Sequence, residues 1–203
     1  MHDVRVMFDT LQAHVAARAQ LADDEFPRAT AMMIPRRIRK GHTLASPGEP
    51  CKYLTFVTSG CLRAYSVDER GEEHVVQFAL EQWWIGDMYS FLTGKPADLL
   101  IEALEETDAL LIASSVYEQL CTTVPAFDRY FRILLQNNYI ATHRRLLASI
   151  SMSAEERYVQ LIADYPAIVQ RVALRHIASY LGITPEALSR IRSRMAKNPG
   201  ERS

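Results

Sequence analysis

The sequence predicts an α+β protein built from three parts: a roll of antiparallel strands, one long helix and a helix-turn-helix. Three observations support this prediction. Between residues 31 and 116, short apolar segments alternate with turn signals about every 8–12 residues, which is typical of an antiparallel sandwich or roll. After Pro125 the apolar spacing becomes helical for about seven turns, and residues 173–197 then show the apolar pattern of two helices joined by a glycine.

The N-terminal part is expected to begin with a helix and to continue as strands. Scattered apolar residues make the first 25 or so residues compatible with a helix, and the acidic run 23–25 is expected to end it. The β-rich segments are 53–57, 61–67 and 73–80. The polar run 68–71 predicts a turn between the last two of them. We therefore assign residues 1–124 to the roll and its N-terminal helix.

The long helix, assigned to residues 125–150, carries a broad apolar stripe. A helix in this place can pair with its copy in a second chain and hold two helix-turn-helix units one DNA turn apart. The residues predicted to form this dimer interface are Phe127, Tyr130, Phe131, Leu134, Ile140, Ala141 and Leu147. The alternative is a helix that packs only on its own roll, because the polar pairs 137–138 and 144–145 interrupt a strict heptad.

The helix-turn-helix, within the segment assigned to residues 151–203, is the most informative pattern of the chain. Its first helix, 174–181, has apolar residues at i, i+3, i+4 and i+7. Gly182 follows at once and can take the left-handed backbone conformation that a tight turn between helices needs. Thr184 and Pro185 then suit the N-cap and the first position of a second helix.

The second helix has an apolar face and a polar face. The inward stripe consists of Leu188, Ile191 and Met195, and the outward face consists of Glu186, Ser189, Arg190 and Ser193. A recognition helix presents an outward face of this kind to base edges in a major groove. The alternative is a helical hairpin that only packs against the rest of the chain.

Charge favours the DNA-binding interpretation. Residues 171–203 hold seven Lys and Arg against two Glu, a local net charge of +5. The whole chain carries −1, so the preceding 170 residues carry −6. A protein of near-neutral charge with its positive excess at one end is expected to bind a polyanion there.

Several function classes are disfavoured by what the sequence lacks. No apolar run approaches the ~20 residues that a membrane span needs, and residues 1–25 do not resemble a secretory signal, so a cytoplasmic protein is expected. Cys51, Cys61 and Cys121 are odd in number and widely spaced, which favours neither disulfides nor a thiolate metal site. The sequence has no His-x-His pair and no nucleophile or phosphate-loop motif. We therefore expect no enzyme activity, no cofactor and no metal.

Two functional classes remain open at this point. The first is a homodimeric DNA-binding transcription regulator whose roll senses an effector or acts without one. The alternative is a small-molecule-binding roll whose helical tail mediates contacts with other proteins. Salt-dependent binding to duplex DNA would separate them, because each phosphate that a protein neutralises steepens the fall of affinity with salt.

The order of the parts resembles the cAMP receptor protein/FNR family of bacterial transcription regulators. The resemblance covers roughly residues 33–197. Its segments are Lys40-Gly41, Pro47-Gly48-Glu49, residues 56–60, Gly86-Asp87-Met88, and IASYLGITPEALSRIR at 177–192. It implies a cyclic-nucleotide-binding-like jelly roll as the sensor, a dimer formed by the long helix, a palindromic operator in double-stranded DNA, and RNA polymerase as a further partner.

The resemblance also implies which residues contact DNA. Glu186 and Arg190 match the family positions that contact bases, where Glu can accept from cytosine N4 and Arg can pair with guanine O6 and N7. Pro185 stands where other members carry an Arg. The residues expected to contact phosphates are Thr184, Ser189, Ser193, Arg175, Arg192 and Arg194.

Three departures from the family pattern matter. The residues that would line the ligand pocket are Gly86, Asp87, Met88, Tyr89 and Ser90. Asp87 replaces the Glu that holds the ribose in nucleotide-binding members, and residues 95–99 contain no Arg for the phosphate, so an effector other than cAMP is expected. Residues 1–50 contain no cysteine for an iron–sulfur centre. Only residues 198–203 remain for the family's C-terminal wing, which is expected to be reduced or absent.

Overall fold

The fold is described here from a computed structural model that covers residues 3–197. The helices are α1 (Val4–Ala16), α2 (Glu25–Thr30), α3 (Met88–Thr93), α4 (Ser114–Thr123), α5 (Pro125–Ser151), α6 (Ala154–Asp164), α7 (Pro166–Arg171), α8 (Leu174–Leu181) and α9 (Pro185–Lys197). The strands are β1 (Met33–Ile38), β2 (Thr43–Ala45), β3 (Tyr53–Ser59), β4 (Leu62–Val67), β5 (Glu73–Ala79), β6 (Trp84–Ile85), β7 (Leu100–Ala103) and β8 (Thr107–Ala113). The predicted wing concerns residues 198–203, which lie outside the described residues.

The strands form two four-stranded sheets, with the orders β1-β8-β3-β6 and β2-β7-β4-β5. Every pairing between these strands is antiparallel. Apolar side chains of both sheets, among them Phe56, Leu62, Ile101 and Leu110, belong to one buried cluster. The predicted α+β class, with an antiparallel roll followed by a long helix and a helix-turn-helix, is confirmed.

The N-terminal helices cover the roll, but their boundaries differ from the prediction. Helix α1 ends at Ala16, and the acidic run 23–25 does not end a helix, because Glu25 begins α2. The buried Glu25 carboxylate accepts hydrogen bonds from the backbone N–H groups of Ala22 (2.8 Å) and Ala126 (3.1 Å). This side chain therefore joins the start of α2 to the start of α5. Glu25 was predicted to end a helix, but its carboxylate instead accepts a backbone N–H in the first turn of α5.

The first turns of α5 are part of the core, which corrects the predicted dimer interface. Phe127, Tyr130 and Phe131 are buried in the cluster that fills the roll, and Leu134 packs against it. These three buried aromatic residues are therefore unavailable to a second chain, and their assignment to the interface was wrong. From Leu135 onward most of the helix is exposed, including Ile140, Ala141 and Leu147. Only that later part can meet another molecule.

A second apolar cluster joins the roll to the C-terminal helices. From the roll it contains Cys61, Tyr65, Val75, Phe78 and Leu80, and from α6–α9 it contains Tyr158, Leu161, Ile168, Val172, Ile177, Ala178, Leu181, Leu188 and Ile191. The helix-turn-helix therefore shares a buried surface with its own roll. Among the described residues, no helix is both long enough and apolar enough to cross a membrane.

A buried chain of hydrogen bonds fixes α5 to α1 and β6. Trp84 Nε1 donates to the Tyr130 hydroxyl (2.7 Å), and that hydroxyl lies 2.6 Å from His14 Nδ1. Indole N–H is only a donor, so the Tyr130 oxygen accepts from Trp84 and its own hydrogen is free for His14. We assign this hydrogen to Nδ1 of His14, which is then the unprotonated nitrogen, because the assignment gives the hydrogen of the buried hydroxyl an acceptor. Burial, with a smaller effect of the Arg18 charge, lowers the pKa of His14 from 6.5 to about 4.

This histidine predicts a loss of stability in mild acid. Because the pKa of His14 is lower in the folded than in the unfolded chain, the unfolded chain takes up the proton first as the pH falls. The stabilising effect is complete above pH 6.5 and is lost progressively toward pH 4, by up to about 3 kcal/mol. In His14→Asn the side-chain oxygen can still accept from Tyr130 but does not titrate. Urea unfolding between pH 7 and 4.5 should give a shallower pH dependence for this variant.

The control is His42→Asn, which removes an exposed histidine. It should keep the wild-type dependence of the unfolding free energy on pH. Parallel pH profiles for wild type and His14→Asn would contradict the proposed hydrogen-bond arrangement.

Candidate nucleic-acid interface

The turn between α8 and α9 is built by Gly182. Its φ of 68° is in the left-handed region, where a side chain would be strained. The N–H of Ile183 donates to the carbonyl of Ala178 (3.0 Å) and the N–H of Gly182 donates to that of Ser179 (3.0 Å), the two bonds of a Schellman motif. The glycine thus ends α8 and sets the direction in which α9 begins.

The start of α9 is capped as the sequence predicted. The backbone N–H of Ala187 donates to Thr184 Oγ1 (3.2 Å), and Pro185 is the first helical residue. Hydrogen bonds from its own backbone N–H and from Thr184 hold the pKa of Glu186 below its usual value. Glu186 is therefore an ionised acceptor at the exposed N-terminus of the helix.

Helix α9 turns its apolar face inward and its polar face to solvent. Leu188 and Ile191 are buried in the cluster shared with the roll. The predicted DNA-contacting residues that the structure leaves exposed are Thr184, Pro185, Glu186, Ser189, Arg190, Arg192, Ser193, Arg194 and, on α8, Arg175. All of them are therefore accessible to a polyanion in this arrangement.

Two of the arginines counted in the basic segment are partly neutralised. Arg171 donates to Glu81 (2.7 Å), to Glu105 (2.7 Å) and to the carbonyl of Gly60 (2.9 Å), so it joins α7 to the roll rather than facing a ligand. Arg194 Nη2 lies 2.7 Å from a carboxylate oxygen of Glu155 on α6, in an exposed pair. The charge count of the sequence thus overstated the positive surface available to DNA.

Two residues of the predicted ligand pocket, Asp87 and Ser90, are hydrogen-bonded within the chain. The buried Asp87 carboxylate accepts from the backbone N–H groups of Ser90 (3.1 Å), Asp98 (2.9 Å) and Leu99 (3.2 Å). Ser90 Oγ, also buried, donates to the carbonyl of Lys95 (2.6 Å) and accepts from the N–H of Cys51 (2.7 Å). The carboxylate therefore uses the N–H donors that an anionic ligand would need at this place.

The other three predicted pocket residues lie around this network. Gly86 is half-buried, and a Cβ on it would be 3.1 Å from Leu54 Cδ1. Met88 packs against the core, whereas the Tyr89 side chain is exposed beside Lys95. The assignment of these residues to a ligand pocket stays a prediction.

Among the described residues, one exposed group could hold a metal ion: Asp68 and Glu72 in the turn between β4 and β5, and His74 on β5. The Asp68 carboxylate already accepts from the N–H groups of Arg70 (2.8 Å) and Glu72 (3.0 Å) and contacts His74 Nε2 (3.0 Å). These bonds close the turn, which accounts for the grouping without a metal.

The sequence did not predict a cluster of charged and polar side chains around Arg63. Arg63 on β4 is buried between Glu73, Glu102 and His176, and His176 belongs to α8. Arg63 and His176 are 113 residues apart in the chain. The only local signal was an Arg within an otherwise apolar strand, which is unusual unless the charge is paired.

Comparison with known proteins gives the same architecture. Residues 35–124 match the cyclic nucleotide-binding domain family. Electron transport regulator A of Shewanella oneidensis is 26% identical over 174 residues, which cover 79% of this chain and 68% of that protein. Transcriptional regulatory protein btr of Bordetella pertussis is 24% identical over 196 residues, 91% of this chain and 80% of that protein.

Among solved structures, the c-di-GMP responsive global regulator CLP of Xanthomonas campestris shares the fold. Its TM-score is 0.72 at 17% identity, over 88% of this chain and 93% of that one. A roll of the cyclic nucleotide-binding type followed by a helix-turn-helix defines a DNA-binding transcription regulator. The chain is similar to regulators of the cAMP receptor protein/FNR family. Its relatives are named as regulators and not as enzymes.

The closed network at Asp87 predicts that cAMP does not bind in the low micromolar range. A cyclic phosphate needs a cation or several free N–H donors when it is buried. Here Ala97 and Asp98 stand in the segment where the nucleotide-binding pattern has Arg, and the N–H of Asp98 is already bonded to Asp87. Titration calorimetry should show no saturable heat with cAMP or cGMP. A cAMP-binding regulator measured under the same conditions is the positive control, and a low-micromolar dissociation constant for this protein would refute the argument.

Proposed function

We propose that the protein is a homodimeric regulator that reads a palindromic operator in double-stranded DNA. In this proposal residues 1–124 form the sensor roll, residues 125–150 the dimer helix and residues 151–203 the DNA-binding domain. The observation that carries it is the two-sided α9, whose apolar side is buried while Glu186 and Arg190 remain exposed. Because its target is DNA, the protein would act in the cytoplasm, with RNA polymerase as a further partner.

The exposed side of α9 supports two kinds of DNA contact, one to bases and one to phosphates. Glu186 and Arg190 are four residues apart and lie on one side of the helix. Arg192 is two residues from Arg190, so it points about 160° away around the helix axis. Side chains directed at the groove floor would read bases, and those at the flanks, together with Arg175, would contact phosphates.

The exposed part of α5 supports the dimer through a stripe that differs from the predicted one. The stripe consists of Leu135, Tyr139, Leu146 and Ile150, all exposed. At about 100° per residue these four side chains fall within an arc of about 60°. Ile140 and Leu147 lie beside this stripe, whereas Ala141 lies on the side of Leu134, toward its own roll. An apolar stripe of this kind on a helix is normally covered, and a second copy of the same helix would cover it symmetrically.

No observation favours the alternative of a small-molecule-binding roll with a protein-binding tail. The roll segment where a ligand would be expected is filled by Asp87 and Ser90. We propose that any effector binds elsewhere or that the regulator works without one.

Arg190 and Arg192 should differ in how they affect DNA recognition. Arg190→Ala should cost about 1–3 kcal/mol on the preferred operator and relax the preference at one base pair per half-site. Arg192→Ala, the matched control, should weaken all sequences alike and reduce the salt slope by about 1. Selection from random duplex DNA, followed by binding titrations at several salt concentrations, measures both. An unchanged base preference at every position in Arg190→Ala would show that a different face of α9 enters the groove.

The apolar stripe predicts a dimer that one substitution breaks. Leu146→Lys puts a charge into the proposed interface, so it should convert a species of about twice the chain mass into a monomer at micromolar concentration. Leu92→Lys is the control, because Leu92 is equally exposed (56% against 57%) but lies on α3. Sedimentation equilibrium measures whether each variant is a monomer or a dimer. A wild-type monomer, or a Leu146→Lys variant that stays dimeric, would contradict the proposal.

A further inference from the structure

The helix-turn-helix is hydrogen-bonded to an open edge of the roll. Strand β5 is the outer strand of its sheet, so one side of its backbone has no neighbouring strand. Ser179 of α8 takes that place: its hydroxyl accepts from the N–H of Val75 (2.9 Å) and donates to the carbonyl of Glu73 (2.5 Å). One serine thus satisfies two edge groups and fixes where α8 lies along the strand.

Arg63 adds a charged contact to the same junction. Its guanidinium has five N–H donors, and each has a partner. Nε and Nη2 donate to one oxygen of Glu102 (3.0 and 2.7 Å), and Nη2 and Nη1 donate to the two oxygens of Glu73 (3.0 Å for Nη2). The fifth donor, on Nη1, lies 2.8 Å from His176 Nδ1. His176 is therefore the partner that the helix-turn-helix contributes to a cation otherwise held by the roll.

This arrangement restricts His176 to one state. Two guanidinium groups, which can only donate, approach the His176 ring: Arg63 Nη1 lies 2.8 Å from Nδ1 and Arg175 Nε lies 3.3 Å from Nε2. A neutral imidazole has one acceptor nitrogen, so we assign the shorter contact as the hydrogen bond: Nδ1 accepts from Arg63, and Nε2 carries the hydrogen. Burial and the charges of Arg63 and Arg175 lower the pKa of His176, while Glu73 and Glu102 act in the opposite direction. The contact is therefore directional: it needs an acceptor at this position of α8 and not simply a side chain of similar size.

A third contact connects the junction to α5. Val76 is the extra residue of a β-bulge, since Tyr65 pairs with Val75 and Ala64 with Gln77. Arg145 Nη1 of α5 donates to the carbonyl of Val76, and its guanidinium lies 4.4 Å from the centre of the Tyr180 ring on α8. The roll, α5 and α8 thus meet at one place.

We propose that Arg63 and His176 are positioning residues for DNA recognition: they fix the angle of the helix-turn-helix on the roll and thereby set the separation of the two recognition helices in the dimer. The proposal rests on the DNA-binding dimer proposed above. Helices α8 and α9 contact each other, and Ile177 and Leu188 belong to the same buried cluster, so a rotation of α8 on β5 would move Arg190 with it. Neither positioning residue touches DNA, because both are buried.

The test separates positioning from base contact. Wild type, His176→Leu, His176→Asn and Arg190→Ala are each used to select operators in which the spacing between two half-sites is randomised. His176→Leu should bind the wild-type optimum about tenfold more weakly and accept a wider range of spacings, with unchanged base preference. His176→Asn, whose Oδ1 can accept from Arg63, should retain the wild-type spacing. Arg190→Ala should change base preference and leave spacing as in wild type.

A second measurement needs no DNA. Hydrogen exchange of the Val75 amide, which donates to Ser179, should be about tenfold faster in His176→Leu than in wild type and unchanged in His176→Asn. Arg63→Lys keeps the charge but loses the five-donor geometry, and it should behave like His176→Leu.

The outcomes are distinguishable. Wild-type spacing and wild-type Val75 exchange in both His176→Leu and Arg63→Lys would overturn the positioning role. A wild-type protein that prefers no pair of half-sites at any spacing would overturn the proposed dimeric function instead. In that event the Val75 exchange rates still decide whether these residues fix α8 on β5.

Discussion

Helix α5 is anchored in the roll by aromatic side chains, and the position of everything after it follows from this anchor. Phe127, Tyr130 and Phe131 are buried, and the Phe131 ring lies 5.3 Å from Trp84 and 5.1 Å from Tyr117. Rings packed at these distances in several directions leave the helix one orientation. A helix of 27 residues is about 40 Å long, and its later part is held a second time where Arg145 contacts the Val76 carbonyl of β5. Both the stripe proposed to pair with a second chain and the start of α6 are therefore placed by the aromatic anchor together with this contact.

The loop that follows α3 in the roll is held by one buried carboxylate. Asp87 caps α3 and also holds the N–H groups of Asp98 and Leu99, so one carboxylate closes a loop that would otherwise expose three donors. This carboxylate accepts backbone N–H groups as a bound anion would in an open site. Unlike a bound anion, it is covalently part of the chain and cannot leave the site. The roll and the C-terminal helices are connected by a similar use of internal charge, through Arg63 and through Arg171.

How much could be predicted from the sequence depended on how local each signal was. The helix-turn-helix was predicted closely, because Gly182, Thr184 and Pro185 act on neighbouring backbone groups. The face of α5 was harder to predict. Its apolar residues serve two different surfaces, one facing its own roll and one facing outward, and periodicity alone does not separate them.

Contacts between distant parts of the chain gave still weaker signals. Arg171 counted as positive charge in the sequence, although Glu81 and Glu105 neutralise it from 90 and 66 residues away. The pairing of Arg63 with His176 had no sequence signature beyond an Arg between the apolar residues Leu62 and Ala64. Each is polar in isolation, and only the folded chain brings their partners together.

The serine bridge between α8 and β5 also has a consequence for how the protein avoids self-association through its sheets. An uncovered outer strand offers unpaired backbone groups on which strands of other molecules can add. Here the helical region covers that side of β5, and Ser179 bonds two of its backbone groups. The helix-turn-helix thus occupies backbone groups of β5 to which a strand of another molecule could otherwise bond.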